Sequence, residues 1–226
     1  MKRVKLLIIF PLIYLLMGCE SKAISSDYEK TKMTSDNITG YKMDLRIYGT
    51  DGQNNYNETV KIDCFEKDFK ITIVDNKAKE IVTTEEETIN KKERTSGDAI
   101  IYIKDDKAYI ETNNKYEEIT NVKYRNPAIY LEGSNYIKKN SKFKEEIIGN
   151  NTYKVYSVSV DKDIVSKILE DASIAGLTLK EDVKAEVYLD ADGYVYRIIY
   201  YVDTITINAS YYGINTTSAI DIELIK

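Results

Sequence analysis

Apolar and polar residues alternate along most of the chain beyond position 40, which is the pattern of β-strands with one buried face. In the clearest run, Tyr41, Met43, Leu45 and Ile47 alternate with charged residues. Similar runs predict further strands at 56–65, 69–74, 81–87, 98–105 and 107–112. Glycine and asparagine between the runs predict turns at 51–55 and 113–114. The first half of the chain is therefore predicted to be an antiparallel meander.

Two segments fit more than one structure. Residues 88–97 contain a single aliphatic side chain, which fits either a mobile loop or an edge strand with a charged outer face. Pro127 suits the first turn of a helix, and several apolar residues follow it. Gly133, Ser134 and Asn135 would interrupt such a helix, so the segment is either a broken helix or a loop.

A hairpin and an amphipathic helix are predicted next. Residues 143–148 and 153–160 are strand runs joined by a Gly-Asn-Asn turn at 149–151. Over 162–175 the apolar spacing becomes helical, at Ile164, Val165, Ile168, Leu169 and Ala172. Asp161 or Asp163 is suited to cap the start of this helix and Gly176 to close its end.

The alternating residues from position 183 onward predict a second hairpin and a bend. Residues 183–189 alternate, Asp-Ala-Asp-Gly at 190–193 makes a turn, and apolar residues at even positions from Tyr194 to Val202 share one face. Beyond Asp203 the apolar residues occupy odd positions, which predicts a bulge or bend near 203–204 that curves the sheet. The predicted fold class is α+β: a strongly bent antiparallel sheet, or open half-barrel, with one amphipathic lid helix near 162–175.

The start of the chain has the pattern of a secretory leader. Lys2, Arg3 and Lys5 precede a run of 12 mostly apolar residues that ends before Gly18. An uncleaved membrane helix is the alternative, but this run would span roughly 18 Å of a hydrocarbon core of about 30 Å. The stretch 16–19, Leu-Met-Gly-Cys, resembles the lipobox of bacterial lipoproteins. That resemblance implies lipidation of Cys19 and cleavage just before it; the alternatives are a plain signal peptide or a buried structural cysteine.

These features divide the chain into three parts. Residues 1–18 are a lipoprotein signal peptide, 19–37 a lipidated polar tether of roughly 25 Å mean reach, and 38–226 a single antiparallel β domain with its helix. Cleavage removes three of the 32 basic residues and none of the 37 acidic ones, which leaves a net charge of about −8. An acidic chain without a dense basic cluster is unsuited to nucleic acid. The expected location is the extracytoplasmic face of the cell membrane, with Cys19 as the anchor.

The residue types available exclude the common catalytic sites. The chain has no His, so Ser-His, Cys-His and His-ligated zinc sites are excluded, and we expect no enzyme, metal or cofactor. With Cys19 lipidated, Cys64 is the remaining thiol, and its alternation with Val60 and Ile62 predicts a small buried hydrophobe. The turn at 190–193 lacks the ligands of a calcium loop.

The C-terminal part resembles the LolA-like carriers, with the LppX and LprG lipoproteins as the nearest in pattern. The resemblance rests on the sequence runs at 148–153, 186–190 and 192–193 and on Arg197-Ile198. It implies an open half-barrel with a helical lid over an apolar cavity that holds acyl chains.

Two functions of different classes follow. The first is a membrane-anchored lipoprotein that binds or transfers a lipid or other amphiphile. Its candidate cavity lining is Ile164, Ile168, Leu169, Tyr196, Ile198 and Tyr200, which are ordinary core residues in the alternative interpretation. The second is a non-enzymatic module that presents a sheet edge or a tyrosine-rich face to an envelope protein or cell-wall polymer. The 20 Tyr against 4 Phe fit such a face, and equally fit cavities or plain strand propensity.

Overall fold

The computed structural model describes residues 38–216, apart from 53, 67, 84–87, 96–98, 105–106, 113–114 and 121–125. Cys19 and the predicted leader and tether lie outside the described residues. The described residues form twelve strands: β1 (Gly40–Thr50), β2 (Asn54–Phe65), β3 (Asp68–Thr83), β4 (Thr88–Thr95), β5 (Ala99–Lys104), β6 (Lys107–Thr112), β7 (Lys115–Ile119), β8 (Phe143–Ile148), β9 (Asn151–Val160), β10 (Val183–Leu189), β11 (Val195–Val202) and β12 (Ile205–Tyr212). A 3₁₀ segment (Pro127–Tyr136) and helix α1 (Lys162–Asp171) interrupt the run of strands.

All strands join one antiparallel sheet that does not close. Its order is β7-β6-β5-β3-β2-β1-β12-β11-β10-β9-β8, and β4 pairs with the far end of β3. The first and last strands of the described residues, β1 and β12, therefore pair at the centre of the sheet, from Lys42 with Tyr212 to Gly49 with Ile205. The predicted fold class, an open antiparallel sheet with few helices, is confirmed.

One face of the central strands forms the apolar core. Cross-strand neighbours on this face include Leu45, Ala209 and Ile198, and every one of these three side chains is fully buried. Cys64 also belongs to this core at 1% exposure, which confirms the prediction of a small buried hydrophobe. Because alternate residues of a strand point to opposite faces, the charged neighbours of these residues lie on the outer face.

Local capping explains where α1 begins and ends. The side chain of Asp161 accepts a hydrogen bond from the Asp163 amide at 2.7 Å and caps the helix start. The helix ends at Asp171, before the predicted Gly176, because Ser173 takes the left-handed conformation with φ of 55°. The Ile174 amide then bonds the Leu169 carbonyl, and the two buried side chains belong to the same core, as in a Schellman motif.

Several predicted elements differ from the structure. The runs at 69–74 and 81–87 are not separate strands, because β3 continues from Asp68 to Thr83. Residues 88–97 contain the strand β4, whose only partner in the described part of the chain is β3, so the edge-strand alternative holds. β7 was not predicted. The 3₁₀ segment runs through Gly133 without interruption.

The change of parity near residue 203 has a different cause from the one predicted. Val202 pairs with Ile205, so Asp203 and Thr204 form a two-residue hairpin turn between β11 and β12, with Asp203 at φ of 52°. The bulge lies at the other end of β11, where the register with β10 shifts between Tyr188 and Leu189. This shift leaves Tyr196 as the extra residue and turns it away from the core face.

Candidate ligand-binding site

The 3₁₀ segment and α1 lie over the apolar face of the sheet. The 3₁₀ segment contacts β9, β10, β11 and α1. From α1, Ile168 and Leu169 enter the core that contains Ile198 and Tyr200 of β11, and Ile164 packs against it half-buried. The 3₁₀ segment and α1 together form a cover over the sheet. Five of the six candidate lining residues therefore lie in one apolar interior between the sheet and this cover.

A chain of hydrogen bonds joins this cover to the sheet. The Tyr200 hydroxyl donates to the Tyr130 carbonyl oxygen at 2.8 Å and accepts from the Gly133 amide at 2.9 Å. The Tyr130 hydroxyl donates to Asp171 at the end of α1, at 2.6 Å, and the second carboxylate oxygen of Asp171 accepts from the Asn126 amide. The 3₁₀ segment is thus fixed to β11 on one side and to α1 on the other.

A pocket opens beside the end of α1. It has a volume of about 230 Å³, and its lining residues are Ser166, Leu169, Glu170, Ser173, Ile174, Ala175 and Leu177. Leu169 and Ile174 also belong to the buried core, so the pocket borders the interior directly. Its volume is below the roughly 300–1,000 Å³ of common ligand pockets, so a full lipid would fit only after outward movement of α1 or its following loop.

The structure separates Tyr196 from the other candidate lining residues. Its ring stacks on that of Tyr153, with centroids 4.1 Å apart, in an outer-face cluster with Val155 and Tyr188. The prediction that Tyr196 shares a face with Ile198 and Tyr200 was wrong, because Tyr196 is the extra residue of the β11 bulge and the alternation of faces breaks there. The candidate lining is therefore reduced to Ile164, Ile168, Leu169, Ile198 and Tyr200.

Tyr196 belongs instead to an outer tyrosine patch, made of Tyr153, Tyr188, Tyr196 and Arg197. The Arg197 guanidinium lies 5.0 Å from the ring centroid of Tyr196 and 5.5 Å from that of Tyr188. Its Nη2 donates to the Tyr196 hydroxyl at 3.1 Å, while its buried Nε has no hydrogen-bond partner in the described part of the chain. Such an arrangement presents a cation on an aromatic platform.

Burial changes the acid-base properties of the interior. Desolvation raises the pKa of the Cys64 thiol to about 12, a rise that the hydrogen bond with Tyr41 partly offsets. Desolvation also raises the pKa of Tyr41, Tyr200 and Tyr211 above its ordinary value of 10.0. The interior is therefore neutral at physiological pH, as a site for an uncharged part of a ligand requires.

Sequence reasoning missed four residues that shape this site: Tyr130, Gly133, Asp171 and Tyr211. The apolar segment after Pro127 contained the signal for Tyr130, but Gly133 beside it favoured an interrupted helix. The contacts of Gly133 depend on Tyr200, which lies 67 positions later in the chain. No local pattern in the sequence connects the two residues.

Two further properties concern the described residues alone. They contain no group of three or more His, Cys, Asp and Glu side chains arranged to hold a metal ion. Their helices are also too short or too polar to cross a bilayer.

Comparison with solved structures identifies proteins with a similar fold. No family model and no curated protein sequence matches the chain. Its structure is similar to that of LprF from Mycobacterium bovis, with a TM-score of 0.56 and 9% identity over 86% of this chain and 94% of that chain. The lipoprotein LppX from Mycobacterium tuberculosis matches with a TM-score of 0.49 and 8% identity, over 84% of this chain and 94% of that chain. The match to LprF shows a shared fold and supports the kind of half-barrel that the LppX and LprG resemblance implied.

Proposed function

We propose that this chain is a membrane-anchored extracytoplasmic lipoprotein that binds a lipid or other amphiphile between its open sheet and α1. The observation that carries the proposal is the pocket beside α1, because Leu169 and Ile174 line the pocket and also belong to the core. Leu169 and Ile174 belong to the same core as Ile168, Ile198 and Tyr200, so an acyl chain that enters the pocket would lie against this core. The proposed role is binding, with no chemical conversion of the ligand.

Three further points support this proposal. The five remaining candidate residues lie on α1 and β11 and belong to, or pack against, one apolar core. The sheet is open, so its cover is held by side-chain contacts and one chain of hydrogen bonds rather than by strand pairing. The LolA-like resemblance of the C-terminal part implies the same position for acyl chains.

Membrane anchoring is proposed from the sequence of the leader. Lipidation of Cys19 with two acyl chains would hold the chain firmly at the membrane, since each buried methylene contributes about 0.8 kcal/mol. Wild type should incorporate labelled fatty acid, and Cys19→Ala, which lacks the thiol for the thioether bond, should not. Equal incorporation by the two proteins, or none by wild type, would contradict the proposed anchor.

Native mass spectrometry with organic extraction tests the ligand proposal. Residues 20–226, expressed in a bacterium without the anchor, should carry a near-stoichiometric mass of phospholipid or glycolipid. Ile168→Asp places a charge in the interior and should remove that mass, whereas Ile147→Asp, at a side chain that is 74% exposed, should retain it. A wild-type protein that remains ligand-free after incubation with membrane lipids would contradict the proposal.

The tyrosine patch favours a second candidate function, an interaction module that binds a cell-wall polymer. In the described part of the chain, Arg197 forms no ion pair with a carboxylate. An arginine held on two aromatic rings without a counter-ion suits an anionic polymer. This candidate places binding on the outer face, so the two proposals differ in the residues that they require.

A further inference from the structure

The hydroxyl of Tyr211 differs from the other interior phenols. Tyr211 is 2% exposed, and its Oη has no hydrogen-bond partner in the described part of the chain. The hydroxyls of Tyr41, Tyr130 and Tyr200, in contrast, bond to Cys64, Asp171 and the 3₁₀ backbone respectively. Burying a hydroxyl without a hydrogen-bond partner destabilises the folded protein, and phenylalanine at the same position would avoid this cost. The presence of tyrosine here therefore indicates a role for the hydroxyl.

Tyr211 lies in the same interior as the proposed ligand site. It is on the core face of β12, opposite Met43 of β1, and its ring centroid is 5.8 Å from that of Tyr41. It belongs to the same apolar core as Ile168, Ile198 and Tyr200. Burial, together with nearby Tyr41, Tyr200, Cys64 and Tyr130, raises its pKa well above the ordinary value, so the phenol remains a neutral donor.

The composition of the interior restricts which acceptors can form a hydrogen bond with the Tyr211 hydroxyl. The ionisable groups that act on this donor are Tyr41, Tyr200, Cys64 and Tyr130, and the hydroxyls of these three tyrosines already have partners. An acyl chain brings no hydrogen-bonding group of its own, but the ester that joins it to the rest of a lipid brings a carbonyl acceptor. The ester carbonyl is bonded directly to the acyl chain, so it is buried whenever the whole acyl chain is buried.

We propose that Tyr211 is the polar contact of the ligand site, and that its hydroxyl donates a hydrogen bond to the ester carbonyl oxygen of an acylated lipid. This inference rests on the proposed lipid-binding function and narrows its ligand class to ester-linked lipids. An ether-linked lipid of equal chain length offers a weaker acceptor at this position and would leave the phenol poorly paired.

Tyr211→Phe tests the inference because it removes one oxygen and keeps the ring. The matched control is Tyr212→Phe, the same change at the next residue, whose hydroxyl bonds Asp44 on the exposed outer face. The binding probes are phosphatidylglycerol with two ester-linked palmitoyl chains and its diether counterpart, each measured by competition with a fluorescent acyl lipid. Wild type and Tyr212→Phe should prefer the diester, and Tyr211→Phe should bind it about 5- to 10-fold more weakly, with unchanged diether binding.

A second readout distinguishes a ligand contact from a structural one. Lipid-free Tyr211→Phe should unfold at the same or a higher denaturant concentration than lipid-free wild type, because an unpaired hydroxyl has been removed. A clear loss of stability would mean that the hydroxyl has a partner in the empty protein, and would overturn the inference.

The binding outcomes also separate the two proposals. Wild type that binds neither lipid would overturn the proposed function, and this inference with it. Wild type that prefers the diester while Tyr211→Phe binds the diester as tightly as wild type does would overturn the inference alone.

Discussion

The amide of Gly133 donates a hydrogen bond to the phenolic oxygen of Tyr200 at 2.9 Å, and position 133 has no space for a side chain. A Cβ atom there would lie 2.8 Å from the Tyr200 oxygen and 3.2 Å from a methyl carbon of Ile198. The close approach of the 3₁₀ segment to β11 therefore depends on glycine. The cover of the proposed ligand site is built on this contact.

Gly133→Ala should destabilise the protein by about 1–3 kcal/mol, because the added methyl forces the 3₁₀ segment away from Tyr200. Helix propensity alone predicts the opposite sign, since alanine is about 1 kcal/mol more favourable than glycine in a helix interior. Chemical denaturation measures the difference. The control is Asn135→Ala, at an exposed position of the same segment, and equal stability of Gly133→Ala and wild type would contradict the packing argument.

Asp171→Ala should loosen the cover without unfolding the domain. The change removes the acceptors of Tyr130 and Asn126, and hydrogen bonds to a charged group contribute about 1.5–3 kcal/mol. We therefore expect amide exchange in α1 and in the 3₁₀ segment to become at least about tenfold faster, with little change in β1 and β12. The exposed Glu181→Ala is the control, and a uniform rise in exchange across the sheet would contradict a local role.

Stability should decrease at alkaline pH. The pKa of Cys64 rises from 9.0 to about 12 on folding, so its contribution is fully present below pH 9 and is lost as the pH approaches 12. The raised pKa values of Tyr41, Tyr200 and Tyr211 act in the same direction above their ordinary value of 10.0. Denaturation at several pH values between about 8 and 11 measures the decrease.

Cys64→Ser separates the thiol from the phenols in that experiment. Serine retains a hydroxyl for Tyr41 but does not ionise in this range, so the decrease between about pH 9 and 10 should become shallower. Stability that is independent of pH over the whole range would contradict the burial of these groups.

Arg197→Gln tests the second candidate function. If the tyrosine patch binds an anionic wall polymer, the variant should be retained on isolated cell walls at least about tenfold less than wild type at low salt. Arg46→Gln, at an exposed position on the outer face of β1, is the matched control. Equal retention of the two variants would contradict the second candidate, and lipid binding should be unchanged in both.

Most of the sheet could be predicted because each central strand has one buried face, as in Met43, Leu45 and Ile47 of β1. Prediction failed where the pattern is weak or ambiguous. β7 has no buried side chain on either face, and the parity change near residue 203 fits a bulge or a two-residue turn equally well. The hairpin turn at 203–204 was therefore mistaken for a bulge or bend.

The candidate site could be predicted only in part, because local sequence patterns do not reveal bulges or contacts between distant segments. Helical spacing identified Ile168 and Leu169, and strand alternation identified Ile198 and Tyr200. Tyr196 was misplaced because it is the extra residue of the β11 bulge, which breaks the alternation of faces along the strand. The bond between Gly133 and Tyr200, and the unpaired hydroxyl of Tyr211, arise from contacts between distant segments that no local pattern encodes.

Photocrosslinking with an acylated lipid that carries a diazirine at the end of one chain tests the central claim most directly. Peptide mass mapping of the lipid-loaded protein should locate the adducts on α1 and β11, at or beside Ile168, Leu169, Ile198 and Tyr200. Ile147 and Tyr201, exposed at 74% and 39%, report attachment from solvent. Adducts confined to these exposed residues or to the tyrosine patch would contradict a ligand between the sheet and its cover.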